Sequence, residues 1–135
     1  MTTASTIYLQ ELRTENTHLQ SGSVIITDAP TDNHGKGLNF SPTDLCALSL
    51  TDCIITTIAI YLQRHEIEIK SCTAKTTKIM QAEPRRISEI KAEISLEIPA
   101  ADEKLKTILE RVGHTCPVGR SLHPDIVQNI SYHWI

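Results

Sequence analysis

The sequence predicts an α+β protein, with antiparallel sheets formed before and after one long, central, buried helix. Three observations predict it. The stretch from Ser41 to about Arg64 has a capped start and no Gly or Pro after Pro42. The stretch from Ser88 to Ile98 alternates between apolar and polar residues. The segments with a period near 2 and those with a period near 3.6 follow one another as β-β-β-α-β-β-α-α-β.

The central helix comes first because the rest must accommodate it. Ser41 caps it, Pro42 fits the first helical position, and Asp44 stands three residues after the cap. At 1.5 Å per residue it would be roughly 36 Å long. From Cys53 to Leu62 its only polar atoms are two threonine hydroxyls, the thiol and the tyrosine hydroxyl. A helix apolar on all sides must be buried on all sides. A chain of this size has trouble wrapping such a rod alone, so a partner chain is expected, most simply in a symmetric homodimer.

Ahead of the helix, Ile7, Leu9 and Leu12 predict a first strand over Thr6 to Leu12, followed by a turn at Glu15-Asn16. A second strand is expected from Thr17 to Gln20, a hairpin turn at Ser21-Gly22 and a third strand from Ser23 to Thr27. Asp28 to Asn39 is rich in turn-forming residues (Ala29-Pro30, Asp32-Asn33, Gly35-Lys36-Gly37) and reads as a loop. Beyond the helix, Glu66 to Met80 reads as a long strand and Glu83-Pro84-Arg85-Arg86 as a turn. In Ser88 to Ile98, Ile90, Ala92, Ile94, Leu96 and Ile98 share the buried face of a half-buried strand, which Pro99 ends. Leu105, Ile108, Leu109 and Val112 then repeat at helical spacing over Ala101 to Val112, with Asp102 and Glu103 in the first turn and Gly113 as the stop. Thr115-Cys116-Pro117-Val118 opens a short helix, His123-Pro124-Asp125 breaks it, and Ile126 to Trp134 supplies a last strand.

Length and composition bound the function. The 135 residues predict one domain over residues 1–135, and the net charge of −3 with no basic face argues against a nucleic-acid partner. The uninterrupted apolar run is about half of what a bilayer span needs, so no membrane segment is expected. Met1 to Thr6 has neither a basic start nor an apolar core, so no secretory signal is expected and the location is taken as cytoplasmic. In that compartment the four cysteines are free, metal-bound or catalytic rather than a disulfide scaffold. They are scattered, without Cys-x-x-Cys, and the six histidines show no close pairing, so neither a metal nor a cofactor is expected.

Two cysteines stand in unusual settings. Cys53 is in the middle of the long helix, and Cys116 is at a helix start, where the positive end of the dipole favours a thiolate. The alternative for each is an inert buried residue, since free cysteine behaves as a small hydrophobe. Cys46, seven residues before Cys53 on roughly the same helix face, and Cys72, on a strand, read as structural. His114 is close to Cys116 in sequence; like the other histidines, it reads as solvent-facing.

Ser41-Pro42-Thr43-Asp44-Leu45, then Leu48, Cys53 and Ile54 to Leu62, resemble the central helix of the OsmC/Ohr family, the osmotically induced protein C and organic hydroperoxide resistance proteins. Arg85-Arg86-Ile87-Ser88 with its strand, and Cys116-Pro117-Val118 with Leu122, resemble that family's later strand and second cysteine motif. Leu12-Arg13, Thr17-His18, Ser21-Gly22 and Thr27-Asp28-Ala29-Pro30 resemble one branch of it, and the two cysteines stand 63 residues apart. The resemblance implies an intertwined homodimer with the long helices buried at its centre, acting as a thiol-dependent peroxidase on organic hydroperoxides. It implies that Cys53 is the peroxidatic thiolate, that Cys116 resolves its sulfenic acid as a disulfide, and that an external dithiol reductant reopens that disulfide. It further implies an activating arginine, for which Arg13 is the candidate. The glutamate that holds this arginine in the hydroperoxide-resistance branch falls on Thr43, which is not acidic, while Asp44 reads as the capping acid. That departure keeps a second reading open: a stress-related, non-catalytic protein of the same fold that binds a small apolar or electrophilic ligand at the dimer interface. A redox sensor acting through a partner protein is a third.

Overall fold

The computed structural model describes residues 1–135 and confirms the α+β class. Its contacts divide the chain into two compact units, Met1–Leu45 and Cys46–Ile135.

The first unit is an antiparallel meander of β1 (Ala4–Tyr8), β2 (Arg13–His18) and β3 (Val24–Asp28), in that spatial order. The predicted third strand and its Ser21-Gly22 turn are present: Gly22 has φ 77° and donates its N–H to His18 O at 2.7 Å. The first two strands differ from expectation. β1 ends at Tyr8, and the chain reverses through Gln10, Glu11 and Leu12, all at positive φ. Glu15 and Asn16, expected in a turn, lie within β2, opposite Ile7 and Thr6. The reason is that β2 (Arg-Thr-Glu-Asn-Thr-His) has no apolar phase to read. Directional bonds hold it instead: Thr6 Oγ1 donates to Asn16 Oδ1 at 2.8 Å, and Asn16 Nδ2 donates to Ile25 O at 3.3 Å. The loop after β3 folds back on itself, with Gly35 so close to Ala29 that a Cβ there would lie 1.7 Å from Ala29 O.

The second unit is built around α1 (Pro42–Arg64), whose first turn contains the boundary between the units. Its start is as expected. Asp44 Oδ2 accepts the Ser41 N–H at 2.9 Å, and Ser41 Oγ accepts the Asp44 N–H at 3.1 Å, the reciprocal arrangement of a capping box. Its end is set by Glu66 at φ 55° and by the Ile67 N–H bonded to Leu62 O. The strand expected from Glu66 therefore begins only at Ser71. The helix is long and apolar enough to span a bilayer by length and composition. One face of it (Ala47, Leu50, Thr51, Ile54, Ile58 and Leu62) is buried within this chain, while Ile60 on another face is 45% exposed. Burial on all sides is thus not achieved by one chain.

The buried face of α1 shares a core with a second sheet of β4 (Ser71–Gln81), β5 (Arg86–Glu97) and β6 (Val127–Trp134). Ile90, Ala92, Ile94, Leu96 and Ile98 all enter that core, as the alternation predicted. β4 and β5 pair antiparallel; β6 runs parallel to β5, so the sheet is mixed. The parallel pairing follows from the crossover between β5 and β6 through α2 (Glu103–Gly113) and α3 (Pro117–Ser121). Asp102 caps α2 by accepting the Leu105 N–H at 2.8 Å, and Leu109 anchors it in the core.

Candidate thiol site

Cys53 and Cys116, far apart in sequence, meet in the second unit. Cys53 is half-buried on α1, one residue before the core residue Ile54. Its carbonyl accepts the Thr57 hydroxyl at 2.7 Å. Cys116 is the N-cap of α3 and is 1% exposed, with its Sγ accepting the Gly119 N–H at 3.3 Å. Gly119 sits tightly against it, since a Cβ there would lie 3.2 Å from Cys116 Sγ and 3.5 Å from Leu50 Cδ1. From β6, Gln128 Nε2 donates to Gly119 O at 2.9 Å and fastens the short helix to the sheet.

The electrostatics of Cys116 reverse the expectation drawn from its helix-start position. Burial pushes its thiol up; the Gly119 and Val118 N–H groups oppose this, and the hydrogen bond and charge of Cys53 add to the rise. Desolvation of a fully buried sulfur outweighs the pull of a five-residue helix. Cys116 is therefore a neutral thiol at neutral pH, with Cys53 as its neighbour. That is an arrangement in which an oxidant that takes up two electrons and two protons could join the two sulfurs as a disulfide.

Tyr132 is a neighbour of Cys116. Tyr132 on β6 buries its hydroxyl, and its phenol is pushed up to about 12 by desolvation first, then by Glu110 and Cys116. Trp134 Nε1 donates to Glu110 Oε1 at 3.3 Å. His114, exposed, meets the Tyr132 ring edge-on with centroids 6.5 Å apart. Cys46 and Cys72 are half-buried at the margin of the core, and burial pushes the Cys72 thiol up. No group of three or more His, Cys, Asp or Glu side chains converges on a point where a metal could be held.

Arg13 belongs to the first unit, where it has a partner the sequence reading missed. Its Nε donates to Asp28 Oδ1 at 2.8 Å and its Nη2 to Asp28 Oδ2 at 3.2 Å, a bidentate pair. Asn39 Nδ2 adds a third bond to Asp28 Oδ2 at 2.9 Å. Asp28 is 3% exposed, and the Arg13 and Asn39 hydrogen bonds hold its carboxyl down at about 2. The two residues face each other because β2 and β3 pair with Arg13 opposite Asp28. With β2 placed correctly, that register would have shown the pair. Tyr132 was likewise discoverable, since it shares the inward face of β6 with Ile130 and Trp134.

A family described as OsmC-like protein matches residues 34–131. The chain superposes with a TM-score of 0.93 on a proposed osmotic stress induced and detoxification response protein from Psychrobacter arcticus, at 48% identity over 98% of this chain and 96% of that one. An OsmC-like protein from Mycoplasma pneumoniae has a TM-score of 0.80 at 15% identity over 98% and 95% of the two chains. An organic hydroperoxide resistance protein OsmC from Legionella pneumophila has a TM-score of 0.73 at 14% identity over 98% and 96%. No curated protein matches the chain. The matched segment holds the long helix with Cys53, the crossover with Cys116 and all but the end of the second sheet, and on that ground the chain belongs to the OsmC-like family.

Proposed function

We propose that the protein is a thiol-dependent hydroperoxide reductase acting on organic hydroperoxides in oxidative or osmotic stress defence. The observation that carries this reading is that Cys53 and Cys116, 63 residues apart in sequence, are close enough in the fold for Cys53 to perturb the Cys116 thiol. The name of the Legionella protein of the same fold supports the substrate class. Cys53, the less buried of the two, is the peroxidatic residue: its thiolate attacks the terminal peroxide oxygen, the O–O bond breaks, and an alcohol leaves as Cys53 becomes a sulfenic acid. Cys116 Sγ then attacks that sulfur; an S–S bond replaces the S–O bond and water leaves. An external dithiol reopens the disulfide by exchange.

Arg13 is the cation of this scheme, stabilising the thiolate and the developing alkoxide. Its bidentate partner Asp28 supplies the anchoring carboxylate that Thr43 lacks. The working form is an intertwined homodimer in the cytoplasm. In support of the dimer, the first sheet and its following loop leave Ile7, Tyr8, Val24, Ile25, Leu38 and Phe40 more than half exposed, as surfaces awaiting a second chain.

The test is intact mass and peptide-resolved thiol mapping before and after one equivalent of cumene hydroperoxide. Wild type should lose two hydrogens as a Cys53–Cys116 disulfide, and Cys116→Ser should gain one oxygen on Cys53. No change in either protein overturns the reading and leaves ligand binding without turnover as the role of the fold.

A further inference from the structure

The Tyr132 hydroxyl is buried and has no hydrogen-bond partner. It is not a loose group. Its ring stacks against Trp134 with centroids 6.4 Å apart and planes 17° apart. The hydroxyl lies directly on Gly113, where a Cβ would come within 2.6 Å of its oxygen, 3.1 Å of Ile54 Cγ2 and 3.3 Å of Ile58 Cδ1. Gly113 O in turn accepts the Cys116 N–H at 3.4 Å. The hydroxyl is therefore fixed at the turn that presents Cys116, against the helix that presents Cys53.

A buried donor left unpaired is costly, and one kept in a native fold calls for an explanation, a catalytic role among them. The ionisable groups around it are Glu110 on α2, His114 just beyond that helix and Cys116 at the start of α3. Glu110 already accepts from the Trp134 indole, and His114 meets the ring rather than the hydroxyl. Cys116 is the group that must lose its proton for the resolving step. We propose that Tyr132 donates its hydroxyl hydrogen bond to Cys116 Sγ when that sulfur is ionised, making Tyr132 a catalytic residue of the resolving step. The proposal rests on the peroxidase reading above. In that step Cys116 gives up its proton and supplies an electron pair to the Cys53 sulfenic sulfur. The S–S bond forms, the S–O bond breaks, and the departing hydroxide takes up a proton to leave as water; the hydroperoxide consumed earlier is the oxidant.

The test uses Tyr132→Phe, which keeps the stacked ring, in two settings. In a Cys53→Ser background, where no peroxide chemistry is possible, the pH profile of Cys116 alkylation by iodoacetamide is read by peptide mass spectrometry. Loss of the donor should move its midpoint up by about one pH unit, a roughly tenfold fall in thiolate at a given lower pH. In the otherwise native protein, the Cys53 sulfenic acid formed by cumene hydroperoxide should live about tenfold longer, as measured by dimedone capture, while its rate of formation is unchanged. An unmoved alkylation profile overturns the proposal. So does an equal slowing of both oxidation steps, which marks a merely structural role. If the native protein never oxidises, the peroxidase reading fails, and the alkylation profile alone still decides whether Tyr132 serves Cys116.

Discussion

Gly113→Ala puts the packing at the thiol site to a quantitative test. The new methyl would meet the Tyr132 hydroxyl at 2.6 Å and two isoleucine side chains of α1 at 3.1 and 3.3 Å. Overpacking of this kind costs about 1–3 kcal/mol. Against it stands the gain of up to about 1 kcal/mol from replacing a helical glycine with alanine, reduced here because Gly113 is the last residue of α2. The net expectation is a loss of about 1–2 kcal/mol, or a Tm lower by roughly 3–8 °C for a chain of this size. The larger part of the clash is with one oxygen, so Tyr132→Phe should relieve it. Tyr132→Phe by itself should be close to neutral or slightly stabilising, because it removes a buried hydroxyl that has no partner. Urea denaturation of the two single variants and the double variant closes a double-mutant cycle with an expected coupling of about 1 kcal/mol. A Gly113→Ala protein as stable as wild type, or a double variant no better than Gly113→Ala, would refute the packing argument.

Two further outcomes follow from titration behaviour. Asp28 is held down at about 2 by Arg13 and Asn39, below the usual carboxylate value. Its stabilising share is therefore complete above about pH 4 and lost as pH falls toward about 2. The stability gap between wild type and Asp28→Asn should be constant from pH 7 to 5 and shrink progressively below pH 4 in denaturation series. Burial pushes the Cys72 thiol up, so at pH 8 Cys72 should alkylate more slowly than an unstructured cysteine peptide. Competitive alkylation read by mass spectrometry checks this, and equal rates would contradict it.

The parts of the fold legible in the sequence are those whose burial imposes a period. β5 shows its alternation because one side faces a core, and α1 announces itself through Ser41, Pro42 and Asp44. β2 hides because its six residues are all polar, and the chain reversal at Gln10–Leu12 carries no glycine. The direction of β6 depends on a crossover, which periodicity does not encode. At the site, Cys53 and Cys116 were found through family resemblance joined to their odd positions. Asp28 escaped because its role depends on strand register. The raised Cys116 thiol escaped because desolvation is a property of the assembled core, whereas a helix start is visible in the sequence.

One sulfur atom also serves as a structural cap in this molecule. Cys116 Sγ closes the open end of α3 by accepting the Gly119 N–H, and α3 spans only Pro117–Ser121. A single-turn helix has no persistence of its own in water. Its order is borrowed from that sulfur at one end and from Gln128, bonded to Gly119 O, at the middle. On the peroxidase reading the order of this turn rests on a sulfur that changes its bonding during turnover, and amide hydrogen exchange at Gly119 would report that change.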